Sequence, residues 1–498
     1  MRSKHPINPI GFLWLSKSEI PIKLVTYRVN SSSMNIRYAF IPFIFVSFLL
    51  KAEIKLPSIF SSHMVLQQET KVKFWGTSAE MREVTLAPSW NNEIYRTKSD
   101  KEGNWEFVLS TPSAGGPYDI VISDGAALTL GNVLIGEVWI CSGQSNMAMP
   151  MRGLLNQPVK GSNEAVARSE NPNIRLFTVG RNSDLKPLDD FKGKWKHCLP
   201  GNVADFSAVG YFFGDLLNET LDVPVGLICT SWGGSKIEAW MSADVLRNYN
   251  WVEIPKKLEE KKRPNRTPTL LYNAMIHPMI GYGIRGIIWY QGESNKNKPE
   301  QYEELMQGLV ESWRSDWGMG DFPFYYVQIA PFGYNGLNSA FFREAQLKAA
   351  DKIPNSGLVS LLDIGDEKGI HPAQKKEVGE RLGFIALSKT YGKEGIAWSG
   401  PMLKDFRIAG RKVYLTFDHA EKGLTSYGKD LTNFTIAGND RKFYPAQAKI
   451  TKEGITLESD EVDNPVAVRY GFQDFVIGDL FNTAGLPASS FRTDDWNE

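Results

Sequence analysis

Apolar and polar positions alternate along much of the stretch 53–130. Val72 and Phe74, for example, stand beside Lys71 and Lys73. A period of two residues is typical of half-buried strands. Polar turns that contain glycine and proline separate these short strands. The pattern predicts a small antiparallel β-sandwich as an N-terminal domain.

From residue 131 the pattern changes to continuous apolar runs separated by helical patterns. The runs are Val133–Cys141, Ile174–Val179, Val223–Thr230, Ile284–Tyr290, Phe324–Ile329 and Leu358–Leu362. Strands buried on both faces have this character in parallel sheets. Pro299–Trp317 and Ala373–Tyr391 carry apolar residues three or four positions apart, as amphipathic helices do. This alternation predicts a doubly wound α/β domain over 131–399.

After residue 399 the chain returns to short strand-like runs separated by turn residues. Lys412–Phe417 and Val466–Tyr470 are two of these runs. They predict a C-terminal β-rich domain over 400–498. The sequence leaves open whether the two β-rich ends pack as one module or form two.

The N-terminal segment has the pattern of a signal peptide. Arg37 precedes the apolar run Tyr38–Leu50, and Ala52 follows it. This run is shorter than the ~20 residues of a transmembrane helix. We therefore predict a signal peptide at 34–52 and a secreted or periplasmic protein with no stable membrane span after cleavage. We also predict that translation starts at Met34, so that the start at residue 1 is too early. A retained N-terminal anchor is the alternative.

Charge and composition exclude some classes of function. Lys+Arg and Asp+Glu balance at 56 each, which argues against a nucleic-acid binder. The 3 cysteines are an odd number and give no disulfide framework. The sequence shows no His/Cys ligand cluster for a metal, so we expect neither a metal nor another cofactor. It does not indicate an oligomeric state.

Polar residues follow several of the apolar runs, at the edge where open α/β sheets bind ligands. Ser145 follows the first run beside Gly143, a position that suits a nucleophile on a sharp turn. Gly233 and Gly234 follow the third run, and paired glycines let backbone N–H groups approach an oxyanion. A helix cap for the serine and a plain turn for the glycines are the structural alternatives.

The fourth and sixth runs end in further candidates. Gln291 and Asn295 carry amide donors that can face an oxyanion. His371 follows a carboxylate-rich loop that contains Asp363 and Asp366. Each segment alone also fits an ordinary surface loop. Together they supply a nucleophile, a base, donors and an acid at the strand ends of one sheet.

These residues resemble the SGNH-hydrolase superfamily and, within it, the sialate O-acetylesterase family and its acetylxylan-esterase relatives. The blocks Gly143–Met147 and Gln291–Asn295 are the most specific. The matching segments follow one another along nearly the whole chain after the signal region. They are Leu56–Phe60, Met64–Gln67, Gly136–Trp139, Gly143–Met147, Ser231–Gly234, Glu238–Trp240, Tyr272–Ile276, Trp289–Asn295, Ile370–Pro372 and Ala484–Pro487.

The resemblance implies an SGNH-hydrolase-like three-layer α/β/α domain with a parallel sheet, flanked by β-sandwich-like N- and C-terminal regions. It implies a serine carbohydrate O-acetylesterase, most closely a sialate O-acetylesterase, that acts on an acetylated carbohydrate. Ser145 is then the nucleophile and His371 the base. The implied oxyanion hole contains the Ser145 N–H, a glycine of the pair, for which we choose Gly234, and a side-chain amide. Gln291 or Asn295 can supply that amide, and Gln291 lies nearest the strand end.

One departure from the family pattern concerns the acid. Many superfamily members place Asp three residues before the catalytic His, where this chain has Lys368. Asp366 is our first candidate, followed by Asp363 and Glu293. A dyad oriented by a backbone carbonyl is the alternative. If Asp366 is the acid, Asp366→Asn slows turnover.

Two alternative functions remain open. One is an esterase for acetylated xylan or another plant glycan. The other is a catalytically inactive carbohydrate-binding protein on the same fold.

Overall fold

The computed structural model describes residues 53–257 and 263–496. The predicted signal peptide at 34–52 and the extension at 1–33 lie outside the described residues. Within the described ranges, no helix combines the length and the apolar character needed to cross a membrane.

The N-terminal β region consists of short strands around a shared core. The strands are β1 (Val65–Gln67), β2 (Lys71–Thr77), β3 (Glu83–Pro88), β4 (Tyr95–Lys98), β5 (Asn104–Ser110), β6 (Gly115–Ser123) and the long β7 (Ala127–Gly143). Strand β2 pairs with β5, and β3 pairs with β4 and β6, all antiparallel. Phe74 of β2 and Leu86 of β3 lie in one buried cluster because alternate residues face inward.

Strand β7 connects this region to a central sheet. The other strands of that sheet are β8 (Asn171–Thr178), β9 (Trp195–Cys198), β10 (Val225–Ser231), β11 (Gly286–Tyr290), β12 (Phe324–Val327) and β13 (Ser356–Val359). The first half of β7 pairs antiparallel with β6, and its second half pairs parallel with β10 and β11. The predicted domain boundary between 130 and 131 therefore falls inside one continuous strand.

The central sheet has the strand order β13-β12-β11-β7-β10-β8-β9. All neighbours are parallel except β8 and β9. Each of the predicted apolar runs overlaps one of its strands, although Leu358–Leu362 does so only at its first two residues. The carboxyl ends of β7, β10 and β11 are adjacent, since Gly143 lies opposite both Ser231 and Tyr290. The residues after these strands therefore meet at one edge.

Helices cover both faces of the sheet. They are α1 (Ser145–Ala148), α2 (Ser162–Ala167), α3 (Pro200–Ala204), α4 (Ala208–Leu221), α5 (Ala243–Leu246), α6 (Pro299–Trp317), α7 (Ala340–Lys352) and α8 (Lys375–Ile385). Helices α4 and α8 contribute to one buried cluster, and α6 and α7 contribute to the other. This gives the predicted three layers, and the α/β fold class is confirmed.

Shorter helical turns complete the connections. The 3₁₀ turns are Ile237–Trp240, Pro264–Arg266 and His277–Met279, and the π-helical turns are Tyr272–Ile276 and Ala386–Thr390. The helix predicted at Pro299–Trp317 has these same bounds as α6. Its proline stands at the first position, and Gly318 ends it with φ +63°.

The C-terminal region forms two four-stranded antiparallel sheets and a short pair. The strands are β14 (Met402–Ala409), β15 (Lys412–Asp418), β16 (Leu424–Thr425), β17 (Phe434–Ala437), β18 (Phe443–Pro445), β19 (Gln447–Ile450), β20 (Ile455–Glu458), β21 (Ala467–Tyr470), β22 (Phe481–Asn482) and β23 (Phe491–Arg492). Leu415 of β15 and Phe434 of β17 share one core cluster. The two sheets thus pack as a sandwich.

Candidate active site

Ser145 lies on a sharp turn between β7 and α1. Gly143, the last residue of β7, has φ +136°, and a Cβ atom there would lie 2.2 Å from the carbonyl oxygen of Tyr290. Only glycine meets both constraints. Ser145 then opens α1 as a half-buried residue. The turn therefore places its side chain at the carboxyl edge of the sheet, where open α/β folds bind ligands.

The loop that carries His371 reaches this turn. Asn146 follows Ser145 in the chain, and its Nδ2 donates a hydrogen bond of 3.2 Å to the carbonyl oxygen of Ile370. Ile370 directly precedes His371. The structure thus brings together two segments that lie 224 positions apart.

The imidazole of His371 has an amide partner. Its Nδ1 lies 2.6 Å from Oε1 of Gln157. Gln157 closes a tight hairpin, because its backbone N–H and C=O both bond to Leu154 at 2.9 Å. Since an amide oxygen only accepts, Nδ1 carries the proton and Nε2 remains a free acceptor. Burial, and next the charge of Lys375, lower the pKa of His371 to about 4.

The three carboxylates considered as the acid bind other groups. Oδ1 of exposed Asp366 accepts the N–H groups of Lys368 at 2.9 Å and Gly369 at 3.0 Å. Asp363 pairs with Arg381 at 2.6 Å. Glu293 accepts from Asn146. Among the described residues, the structure brings none of the three into hydrogen-bond contact with His371. Gln157 occupies the place expected for Asp366.

The glycine pair lies beside Ser145. A Cβ at Gly233 would lie 3.4 Å from the Ser145 Cβ. The carbonyl of Gly233 accepts from Asn265 at 2.7 Å, and that of Gly234 accepts from Arg266 at 3.1 Å. Within the described part of the chain, neither glycine N–H has a hydrogen-bond acceptor. Both N–H groups are therefore available to an oxyanion, and Gly233 is the glycine that faces Ser145.

The amides of Gln291 and Asn295 bind protein groups instead. Nε2 of the fully buried Gln291 donates to the Ser235 carbonyl at 3.0 Å and to Oδ1 of Asn295 at 2.9 Å. Nδ2 of Asn295 donates to Glu238 at 2.8 Å. Gln291 has thus used both donors, whereas Asn295 has one left. The structure does not aim Gln291 at Ser145.

A buried polar group lies under the Ser145 turn. Nδ2 of Asn146 donates to Oε1 of Glu293 at 2.5 Å, and Oδ1 of Asn146 accepts from Nζ of Lys375 at 2.5 Å. Burial raises the pKa of Glu293, although Asn146 and Lys375 oppose the shift. Burial lowers the pKa of Lys375, and Glu293 opposes that shift. Two side chains whose charges are costly to bury therefore lie beneath the Ser145 turn.

Two cavities open near the turn. One of about 430 Å³ is lined by Glu293, Ser294 and Asn295 and by basic residues that include Arg266. Another of about 390 Å³ is lined by Ala148 of α1 and by Ser231. Within the described ranges, no group of three or more His, Cys, Asp or Glu side chains could hold a metal.

Sequence reasoning missed Gln157 and Lys375. Gln157 belongs to a loop without periodicity, and no residue type or spacing marks it. Lys375 carried a weak signal, because a basic residue in the first turn of a helix opposes the helix dipole. That signal becomes informative only when the lysine is known to be buried.

The chain is similar to known esterases over most of its length. The sialate O-acetylesterase of Mus musculus is 30% identical over 486 residues, which cover 84% of this chain and 89% of the relative. The Homo sapiens protein of the same name is 29% identical, with coverage of 84% and 87%. A carbohydrate acetylesterase structure from Xanthomonas citri has a TM-score of 0.82 at 35% identity and covers 89% of this chain and 100% of that one.

Residues 135–387 match the family model described as carbohydrate esterase, sialic acid-specific acetylesterase. The fold and this match define a hydrolase that acts on carboxylic esters. The chain belongs to this carbohydrate esterase family. The family resemblance stated from the sequence motifs is thereby confirmed.

Proposed function

We propose that this chain removes acetyl groups from a sugar, with Ser145 as nucleophile and His371 as base. The observation that carries the proposal is the Asn146–Ile370 hydrogen bond, which joins the turn of the serine to the loop of the histidine. Gln157 supports it by holding the Nδ1–H of His371 and leaving Nε2 to accept a proton.

In the proposed reaction, the Ser145 hydroxyl oxygen bonds to the acetyl carbonyl carbon while its proton passes to Nε2 of His371. Collapse of the tetrahedral intermediate releases the sugar oxygen, which takes the proton from His371. Water then hydrolyses the acetyl-enzyme by the same steps and frees acetate. No acid is needed to orient the imidazole, because the Gln157 carboxamide performs that task.

The oxyanion donors proposed here are the Ser145 N–H, the N–H groups of the Gly233–Gly234 pair and the remaining N–H of Asn295. Each such donor contributes about 2.7–4 kcal/mol in related acyl transfer. Gly233 is favoured over Gly234 by its approach to Ser145. Gln291 is better described as a support for Asn295, to which it donates.

Acetylated sialic acid is the sugar that we propose as substrate. The relatives are sialate O-acetylesterases by name. The cavity beside Asn295 is lined by four basic residues, Lys236, Arg266, Lys296 and Lys298, and by three acidic ones, Glu238, Glu253 and Glu293. The basic residues, which outnumber the acidic ones, complement the carboxylate that sialic acid carries. Acetylated xylan or another neutral plant glycan is the alternative substrate.

Acetate release tests this proposal. Wild-type protein and Ser145→Ala are each given acetylated sialic acid and acetylated xylan. We expect wild-type turnover on the sialic acid and a loss of at least about 10³-fold in the variant. Preference for xylan would change the substrate. Equal activity of Ser145→Ala would remove Ser145 from its role, and binding without turnover by the wild type would indicate a carbohydrate-binding protein.

We also propose that the protein is secreted or periplasmic, on the basis of the signal-peptide pattern at 34–52. N-terminal sequencing of the exported protein tests this. A mature chain that begins close after Ala52 supports it.

A further inference from the structure

We propose that Lys375 is a positioning residue of the esterase site, whose ammonium fixes the Asn146 carboxamide that holds the Ser145 turn against the His371 loop. The inference rests on the proposed roles of Ser145 and His371. It assigns a task to a lysine that touches neither the nucleophile nor, in the proposed reaction, the sugar.

Asn146 is the joint between the two catalytic loops. Its Nδ2 donates to Glu293 at 2.5 Å and to the Ile370 carbonyl at 3.2 Å, and its Oδ1 accepts from Lys375 at 2.5 Å. The amide therefore uses both donors and its oxygen. Every polar group of this side chain ties the Ser145 turn to a neighbouring element.

The charges around Asn146 select one orientation of its amide. The ammonium of Lys375 meets the amide oxygen, and the carboxylate of Glu293 meets the amide nitrogen. A flipped amide would set oxygen against carboxylate and N–H against ammonium, so both charged hydrogen bonds would be lost. A flipped amide would also break the hydrogen bond from Asn146 Nδ2 to the Ile370 carbonyl.

The burial of the Lys375 ammonium costs free energy at this position. Lys375 is fully buried and is the first residue of α8, where the helix dipole disfavours a cation. Its Nζ donates to Asn146 and lies 5.5 Å from the centroid of the Tyr290 ring. A stability role is served better by an apolar side chain. A costly buried charge next to a reactive serine is instead typical of a functional site.

The same ammonium acts on His371, which lies four positions before it in the chain. Its charge disfavours the imidazolium form and adds to the effect of burial in lowering the histidine pKa. The groups that face Lys375 are Glu293, Asn146, Tyr290 and His371. Lys296 opposes the rise in the pKa of Glu293, and Glu293 adds to burial in raising the pKa of Tyr334. Lys375 is the cation that acts on the imidazole, so its removal should change the histidine titration.

Kinetics of Lys375→Met, Asn146→Ala and the double variant on 4-nitrophenyl acetate test the coupling. We expect each single variant to lower kcat by about 10–100-fold with KM changed less than twofold, since small misplacements of reacting groups have this cost. We expect the double variant to be no slower than the slower single variant. Lys389→Met is the control for loss of a lysine, because Lys389 is exposed and donates to the Ser356 carbonyl away from this turn.

The acid limb of the pH–rate profile should move to higher pH in Lys375→Met and stay in place in Asn146→Ala. Wild-type kcat in both single variants, or fully additive losses in the double variant, would overturn the proposal. If Lys375→Met does not fold, Asn146→Ala alone provides the kinetic test, because the charges of Lys375 and Glu293 both remain in that variant. Wild-type kcat in that variant would then overturn it.

A measurement without turnover separates this inference from the proposed function. The His371 ring, one of 6 histidines, is followed by NMR during a pH titration and assigned with His371→Asn. We expect it to titrate at higher pH in Lys375→Met than in the wild type. An unchanged titration overturns the electrostatic part even if the wild type is an active esterase, whereas absence of all esterase activity defeats the proposed function only.

Discussion

Two buried carboxylates lie at opposite ends of the central strands, and their surroundings differ. Glu137 in β7 lies opposite Val225, where the pairing with β10 begins, and Glu293 follows the carboxyl end of β11. They are 0% and 5% exposed. Glu137 accepts from Gln67, Gln68, Arg285 and Tyr391. Glu293 accepts from Asn146 alone among the described side chains, and its second oxygen has no partner.

The difference shows in the pKa values of the two carboxyl groups. Burial raises the pKa of Glu137, but Arg285, Gln68 and Tyr391 outweigh burial and leave it below its ordinary value. Burial dominates at Glu293 and raises its pKa. A fully satisfied network stabilises a fold, whereas a partly satisfied one remains where function requires it. We therefore expect the Glu137 end to control stability and the Glu293 end to control turnover.

Substitution of Glu137 should have the largest effect on the free energy of unfolding. Glu137→Gln leaves Arg285 without its counter-charge in a buried network, and such losses cost about 3 kcal/mol of unfolding free energy. Activity per folded molecule should stay within twofold. Urea unfolding and aryl acetate hydrolysis measure the two quantities. Glu83→Gln, which breaks the exposed Arg96 pair, is the control and should cost no more than about 0.5 kcal/mol.

The pH dependence of the unfolding free energy tests the same carboxylate, and its direction can be predicted. Because the pKa of Glu137 is lower in the folded than in the unfolded protein, the unfolded protein binds the proton more readily. The contribution of Glu137 is fully present above the unfolded pKa and is lost as the pH falls toward the folded one. The stability gap between wild type and Glu137→Gln should therefore narrow in acid. A gap that stays constant would contradict the role of this carboxylate.

At the carboxyl end of the strands, Gln157 should control the titration of His371. Gln157→Ala leaves the imidazole unoriented, and we expect kcat to fall by about tenfold or more. Gln157→Glu should instead raise the pKa of His371, so that the acid limb of kcat/KM moves to higher pH. The pH–rate profiles of both variants measure this. Gln307→Glu on α6 adds the same charge elsewhere and is the control. An equal shift of the acid limb in that variant would show that the Gln157–His371 contact is not the cause.

The sequence predicted the elements that follow a repeating pattern of apolar residues. It missed the residue whose role depends on a single contact in space. The apolar runs and the helix Pro299–Trp317 follow from periodicity, because burial of a face imposes a period. Ser145 and His371 follow strand ends and are linked through Asn146 and Ile370. Gln157 comes from a hairpin between β7 and β8, and only the packing of that hairpin shows that it reaches His371.

Asp366 illustrates the opposite case, since closeness along the chain suggested a contact with His371 that the structure does not show. The loop folds back locally, and the carboxylate satisfies the N–H groups of Lys368 and Gly369. Aspartate commonly binds the backbone two residues onward in this way. A local turn of this kind competes with any longer-range partner, and the sequence alone does not show which one wins.

The smallest effect is expected at Asp366. Asp366→Asn keeps an oxygen that accepts from the same two N–H groups, so the turn should persist and kcat/KM should change less than twofold. Asp363→Asn is the comparison variant, because it weakens the partly buried pair with Arg381 and should lower the unfolding midpoint while leaving kcat intact. Steady-state kinetics across pH 5–9 compare both with wild type. A loss of tenfold or more in Asp366→Asn at unchanged stability would make Asp366 the acid, because a neutral asparagine cannot stabilise an imidazolium as a carboxylate does. The proposed role of Gln157 in orienting His371 would then be wrong.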